Sequence, residues 1–397
     1  MQDSTTEAAA AEMPPAIPLE VDALMQAAAE ATGLSDFGDL SFKKGLEIMV
    51  QDLNTTANLH EGGKIGQAYG IVRMLSNRLR YLDDVKKHPE IRDEKIIAPI
   101  VIAGLPRTGT SKLQRVMSGD PGVQRLEMWK LMNPAPFPGE EPGNPVERIA
   151  FAKGVEEVFR TQFPGWMARH PMEAEQPDEE LFIMEMSLEC TVSAMVARMP
   201  NFREYTMQID PRPTYKILFE MMQYLQWQDG GARGRPWIMK SPVHVGYLDI
   251  LFEFFPDATV VHSHRSPQKT VPSFASTIYE LRKTSTESID PVEVGQEWFD
   301  YWARLTDRYL QVRDTLPHEQ IVNTHFDEVC NDPISVISKV YEKAGRELTP
   351  EAIAGCKEYD ESRPANHWGA YGYTQEEFGL SPEAIDKRFA EYLKLFG

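Results

Sequence analysis

Residues 96–113, IIAPIVIAGLPRTGTSKL, constrain the fold more than any other stretch of the chain. Residues 96–104 form a continuous apolar run rich in isoleucine and valine, which reads as a strand buried on both faces, as in a parallel sheet. Leu113, Val116 and Met117 follow at helical spacing. Between strand and helix, Gly104 and Gly109 have the glycine spacing of the phosphate-binding pattern G-x-x-x-x-G-K-[ST], and Ser111 stands at its hydroxyl position. The lysine position holds Thr110, and Arg107 lies inside the loop instead. A helix N-terminus with free backbone N–H groups favours an anion. Arg107 adds a planar fork of donors, and Thr108, Thr110 and Ser111 add hydroxyls. The plainer alternative, a strand–turn–helix with a surface arginine, leaves the glycine spacing and hydroxyl density unexplained.

The rest of the chain supplies elements of the same kind. Residues 19–90 read as helical, with Gly33 as one stop and Ile71, Met74, Leu75 and Leu79 on one stripe. Further helices are expected at 145–163, 178–199 and 212–228, after a Pro/Gly-rich loop at 133–145. Strands are expected at 236–240, 258–264 and in QIVNTHF. Helices follow each: VGYLDILFEFF, PQKTVPSFASTIYELRK with Pro272 disturbing its first turns, a long one over 291–316, and DPISVISKVYEKAG. The tail 357–380 reads as irregular and aromatic, and 381–396 as a last helix.

Strands alternating with helices predict an α/β fold, a P-loop-like parallel sheet flanked by helices, with helical N-terminal and inserted cap segments. The expected organisation is a flexible arm over 1–18 and a single domain over 19–397. Its cap comes from 19–92 and 120–230, its core from 96–119 and 236–350, and a closing segment from 357–397. Ligands of such sheets lie at the carboxyl ends of the strands. The loops GLPRTGTS, KSPVH and SHRSPQKT all leave strand ends and converge there.

A net charge of −19 over 397 residues argues against nucleic acid as a partner. No run of 18 apolar residues predicts a membrane span. Cys190, Cys330 and Cys356 form no C-x-x-C pair, so neither a disulfide framework nor a zinc site is expected, and a cytoplasmic setting is. The N-terminus lacks the basic and apolar regions of a signal peptide.

The strand ATVVHSHR ends in His264 and Arg265, where a magnesium-binding loop would place an aspartate, so this corner is cationic. Arg265 with Ser273 can clasp a second phosphate, or Arg265 can pair with a carboxylate. Lys240, at a buried strand end, is costly unless it meets an anion. His244 is a candidate general base or a satisfied structural histidine. Of Glu173, Glu175, Asp178, Glu179 and Glu180, most read as a solvated helix start, with Glu173 or Glu175 as the alternative base. Met128, Trp129, Phe163, Trp166 and Met167 suit either a greasy pocket or plain core.

Three loops together resemble one family, the sulfotransferases that use 3′-phosphoadenosine 5′-phosphosulfate (PAPS), in their broad bacterial branch. PIVIAGLPRTGTSKL is similar to the family's 5′-phosphosulfate loop, and HSHRSPQKTVPSF to its 3′-phosphate motif. WIMKSPVHVGYLDILFEFFPDATVV is similar to the stretch that carries an active-site lysine. The resemblance runs over about residues 35–397. It implies PAPS held by Arg107, Thr108, Gly109, Thr110 and Ser111 at the sulfo end, and by Arg265 and Ser273 at the 3′-phosphate. The tail near Arg363, His367 and Tyr371 would close over the nucleotide. His244 would act as base, with Lys240 and Arg107 stabilising charge and no metal required. The implied partner is a small apolar acceptor with a hydroxyl or amine, and a homodimer is allowed. Lys112 departs from the family pattern, as does the four-residue gap between Lys240 and His244. The competing readings are a P-loop nucleotide kinase or NTPase, which needs a lysine and an aspartate absent here, and a non-catalytic adenosine-nucleotide-binding protein.

Overall fold

The computed structural model of the chain describes residues 15–363 and 367–397. Most of the arm expected over 1–18, and part of the closing segment, therefore lie outside the described residues. Five strands form one sheet: β1 (Ile100–Gly104), β2 (Gln124–Arg125), β3 (Trp237–Lys240), β4 (Thr259–His264) and β5 (Ile321–His325). Their order is β2-β3-β1-β4-β5, and every neighbouring pair is parallel. The central strand β1 sits between β3 and β4, with Ile102 opposite Lys240 on one side and Val261 on the other. Successive side chains of a strand point to opposite faces. Accordingly Val101, Ala103, Met239 and Val260 join the larger core, while Ile100, Ile102, Ile238 and Val261 join a smaller one with Val336, Ile337 and Val340.

The larger core is built mainly by the helices preceding β1, namely α1 (Val21–Thr32), α2 (Lys43–Thr55) and α3 (Glu61–Lys87), and by those between β2 and β3. α1 stops at Gly33, whose φ of 68° closes the last turn in the left-handed conformation. α3 buries the stripe of Ile71, Met74, Leu75 and Leu79. α4 (Thr110–Met117) leaves the β1 loop directly and buries Leu113, Val116 and Met117. Among the described residues no helix is long and apolar enough to cross a membrane.

Four local expectations fail. Residues 178–199 form no continuous helix but short turns, Leu181–Met184, Glu185–Ser187 and Ser193–Val196, with Leu188 at a φ of 56° between them. Within this segment Glu180 bonds the Lys240 N–H and His244, and Glu185 bonds Arg73. The expected strand 96–104 begins only at Ile100, after Ala98 at a φ of 45° and Pro99. The tail is helical through Ser362, as the end of the helix Pro350–Ser362, and the last helix is split into Pro382–Arg388 and Ala390–Phe396. Pro272 is carried inside the helix Pro267–Arg282. The edge strand β2, only two residues long, gave no sequence pattern.

Candidate functional site

The loop after β1 turns on two glycines. Gly104 has a φ of 141°, and a Cβ there would lie 2.3 Å from the carbonyl oxygen of Ser263 on β4. Gly109 caps α4 at a φ of 88°, where a Cβ would lie 3.2 Å from Val329. Between them Arg107 takes a φ of 67°, an uncommon conformation for a residue with a side chain. Thr108 is fully buried; its hydroxyl donates to the carbonyl of Leu105 (2.8 Å), and its own carbonyl accepts from Ser263 (2.7 Å). Its hydroxyl therefore holds the loop in shape and does not line a cavity, a correction to its expected contact with a nucleotide.

The Arg107 guanidinium is the hub of the site. Nε donates to Ser273 Oγ (3.3 Å), Nη1 to the carbonyl of Arg169 (2.9 Å), and Nη2 to the Tyr371 hydroxyl. Arg265, at the end of β4, donates from Nη1 to the Arg107 carbonyl (2.9 Å), and its guanidinium lies 3.6 Å over the Phe326 ring. Arg107, Gly109, Thr110, Ser111, Lys112, Arg265 and Ser273 thus line one cavity of about 420 Å³, closed by Phe326, Tyr371 and Tyr373. Three cations and five hydroxyl groups converge there on backbone that leads into a helix N-terminus, a donor set suited to phosphate-like oxyanions. A neighbouring cavity of about 480 Å³ shares Arg107, Ser111 and Lys112 and adds Arg115, Arg363, His367 and Trp368.

On the other side of the loop, Pro106, Arg107, Thr110 and Ser111 form one wall of a third cavity of about 200 Å³. Its remaining wall is apolar, including Phe159, Trp166, Met172, Leu181, Phe182, Met195, Phe274 and Ile278. Trp166 thus faces a cavity, whereas Met128 and Met167 are core. Glu179 and His170 are polar groups on this wall next to the loop. Lys240, 1% exposed at the end of β3, donates from Nζ to Ser111 Oγ (3.0 Å) and contacts the Glu179 carboxylate. That buried ammonium therefore has both a carboxylate and a hydroxyl to offset its desolvation.

His244, the expected base, has a partner at each ring nitrogen. It is fully buried, Nε2 lies 2.7 Å from Glu180 Oε1, Nδ1 lies 2.7 Å from the Tyr215 hydroxyl, and it lines none of the three cavities. Glu180 also accepts from the Lys240 backbone N–H (2.6 Å), so the histidine belongs to a buried brace under β3. Glu175 is exposed and paired with Lys153 at 2.5 Å. Glu173 is buried between Arg115 (3.2 Å) and Arg363, in the neighbouring cavity and away from the apolar one. None of the three expected bases lines the apolar cavity, and the carboxylate beside the loop is Glu179, which sequence reasoning took for a solvated helix start. Nothing in the run PDEEL separates Glu179 from its neighbours, since only the fold decides which of them faces the cavity.

Asp178 is buried behind Glu179. Burial works against its ionisation, yet His170 at 3.1 Å, with Arg115 and Lys240, holds its carboxyl well below the usual carboxylate range. His170, Asp178 and Glu179 each place an atom capable of binding a metal within 4.8 Å of the others. Arg115 and Lys240 border the same carboxylates, and such cations work against a further one.

Known proteins share both the sequence pattern and the shape. The chain is 22% identical over 320 residues to omega-hydroxy-beta-dihydromenaquinone-9 sulfotransferase Stf3 of Mycobacterium bovis, covering 77% of this chain and 76% of that one. Its structure is similar to that of sulfotransferase STF9 from Mycobacterium avium, with a TM-score of 0.85, 25% identity and coverage of 96% and 97% of the two chains. Sulfotransferase STF1 from Mycobacterium tuberculosis shares the fold at a TM-score of 0.77 and 24% identity, over 95% of this chain and all of that one. Residues 99–350, which run from the first strand through the helix after β5, match the profile described as the sulfotransferase family. With well over half its length inside that match, the chain belongs to the sulfotransferase family and is a transferase of sulfo groups.

Proposed function

We propose that residues 19–397 act as one domain that transfers a sulfo group from PAPS to the hydroxyl of a small apolar acceptor. One observation carries this reading. Arg107, Thr110 and Ser111 form a common wall between a cationic, hydroxyl-lined cavity and an apolar one. The residues present fit PAPS: Gly104 and Gly109 let the loop pack closely on β4 and on Val329, and the cationic cavity offers guanidinium, ammonium and hydroxyl donors. Arg107, Thr110 and Ser111 would hold the phosphosulfate, Arg265 and Ser273 the 3′-phosphate, and Arg363, with His367 and Tyr371, would close the far side. When bound, PAPS supplies the sulfo group, which passes in line to the acceptor oxygen.

The chain's own residues do the remainder. Glu179 takes the proton of the acceptor hydroxyl, since it is the carboxylate nearest the loop on the apolar wall. Lys240, tied to both Ser111 and Glu179, moves its hydrogen bonds toward the bridging oxygen as charge develops there. Arg107 opposes the charge left on the departing phosphate. The apolar wall excludes water that would otherwise compete as acceptor. The menaquinone derivative in the name of the mycobacterial relative agrees with an apolar acceptor.

The test is ligand stabilisation of the intact protein. 3′,5′-Adenosine diphosphate without metal is expected to raise the melting temperature by several degrees, and ATP with magnesium is not. A shift with ATP and magnesium alone would overturn the reading in favour of a nucleotide kinase.

A further inference from the structure

We propose that the acceptor carries a second, neutral hydrogen-bond donor at the end remote from the transferred oxygen, and that Glu185 receives it. The inference rests on the sulfotransferase reading and narrows its acceptor class to bifunctional molecules, such as diols.

Glu185 lines the apolar cavity together with Val192, Met195, Val196 and Leu281. It is 9% exposed. Oε1 accepts from Arg73 Nη2 of α3 at 2.7 Å, whereas Oε2 has no hydrogen-bond partner among the described residues. That oxygen opens into the cavity, where the apolar neighbours offer no donor, so its hydrogen bond must come from whatever fills the cavity. Burial raises the carboxyl's pKa, with Arg73 opposing.

Position gives this oxygen a task in specificity. Glu179, the carboxylate beside the loop, precedes Glu185 by six residues across the turn Leu181–Met184, and both line the apolar cavity. The helix Pro267–Arg282 runs along the same cavity. Ser273 near its start bonds Arg107, and Leu281 near its end lies on the wall with Glu185. The cavity thus has a polar group near each end and an apolar middle. Its 200 Å³ compares with the ~150 Å³ that takes one benzene ring, so it suits a short chain or one to two rings. Arg73 and Glu185 together carry no net charge, which favours a hydroxyl or amide N–H over an ammonium group.

The test uses the intact protein and three probes of equal chain length: a straight eight-carbon alcohol, its α,ω-diol, and the diol's monomethyl ether. Followed by thermal stabilisation, the diol is expected to bind about tenfold more tightly than the other two, the effect of one hydrogen bond to a charged group. In the double variant Arg73→Leu with Glu185→Leu, which removes both members of the buried pair and strands neither, the preference is expected to vanish. Equal binding of diol and alcohol, an ether as good as the diol, no binding of any probe, or a preference surviving in the double variant overturns the proposal. The three-probe comparison stands on the unaltered protein even if the double variant fails to fold. Failure of the sulfotransferase reading shows separately, as absent stabilisation by 3′,5′-adenosine diphosphate.

Discussion

Arg265 donates from Nη1 to the carbonyl oxygen of Arg107 at 2.9 Å, so the end of β4 fixes the non-glycine loop residue that sits at a positive φ beside the anion cavity. The two arginines are therefore not interchangeable contacts on one ligand. One shapes the loop that presents the other.

Removing that support has two effects at once. Arg265→Ala is expected to weaken 3′,5′-adenosine diphosphate binding by at least about 100-fold, because a charged donor and the loop conformation are lost together. Arg265→Lys keeps the charge but not the fork, and is expected to recover little of it. Calorimetric titration of both variants decides the matter; wild-type affinity in Arg265→Ala would place the nucleotide elsewhere.

Glu179→Gln is expected to lower kcat by roughly 10²- to 10⁴-fold, the usual contribution of a general base, with nucleotide binding retained. His244→Gln should behave differently. It breaks the brace to Glu180 and Tyr215, so it is expected to lower the melting temperature, while the protein that remains folded keeps turning over. Initial rates per folded molecule separate the two; a lost rate in His244→Gln without lost stability would return the base to His244.

Acid should loosen the C-terminal end. His262 is fully buried, neither ring nitrogen has a hydrogen bond among the described residues, and burial pushes its pKa well down. Burial also pushes His264 down to about 4, against the hydrogen bond to Asn323, and the ring stacks on Phe396 at 4.0 Å. Both are neutral in the folded chain at pH values where the unfolded chain takes up protons. Stability is therefore full above the ordinary histidine range, near pH 6.5, and falls as pH drops from there toward about 4. Chemical denaturation at stepped pH checks this, and His264→Asn is expected to flatten the slope.

Gly104→Ala is expected to cost at least about 2 kcal/mol or prevent folding, because it sets a Cβ 2.3 Å from the Ser263 carbonyl at a φ of 141°. Gly66→Ala, in the middle of α3 with nothing within 4 Å of the added carbon, is the control, expected to leave stability unchanged or slightly raised. Denaturant midpoints of the two variants compare them.

The parallel sheet was legible because β1, β3 and β4 are buried on both faces: β1 reads as an unbroken apolar run, and β3 and β4 carry short apolar stretches before their polar ends. The loop was legible because glycine spacing is local, and Arg265 with Ser273 because both lie within a turn or two of one strand end. Glu179 was not legible, since its task comes from Lys240, sixty-one residues away in the chain. The surroundings of His244 were hidden for the same reason: its two partners come from Glu180 and Tyr215, and a sequence shows a histidine near a lysine without showing that both its nitrogens are taken. Residues 178–199 misled by their apolar content, because the partners of Glu180 and Glu185 lie far off in the chain, at Lys240 and Arg73.

Arg107 borders all three cavities around the loop. A ligand that draws this guanidinium away from Tyr371 in one of them changes the walls of the other two. Thermodynamic linkage then requires the influence to run equally in both directions, so donor and acceptor sense each other through a single side chain without any movement of the sheet.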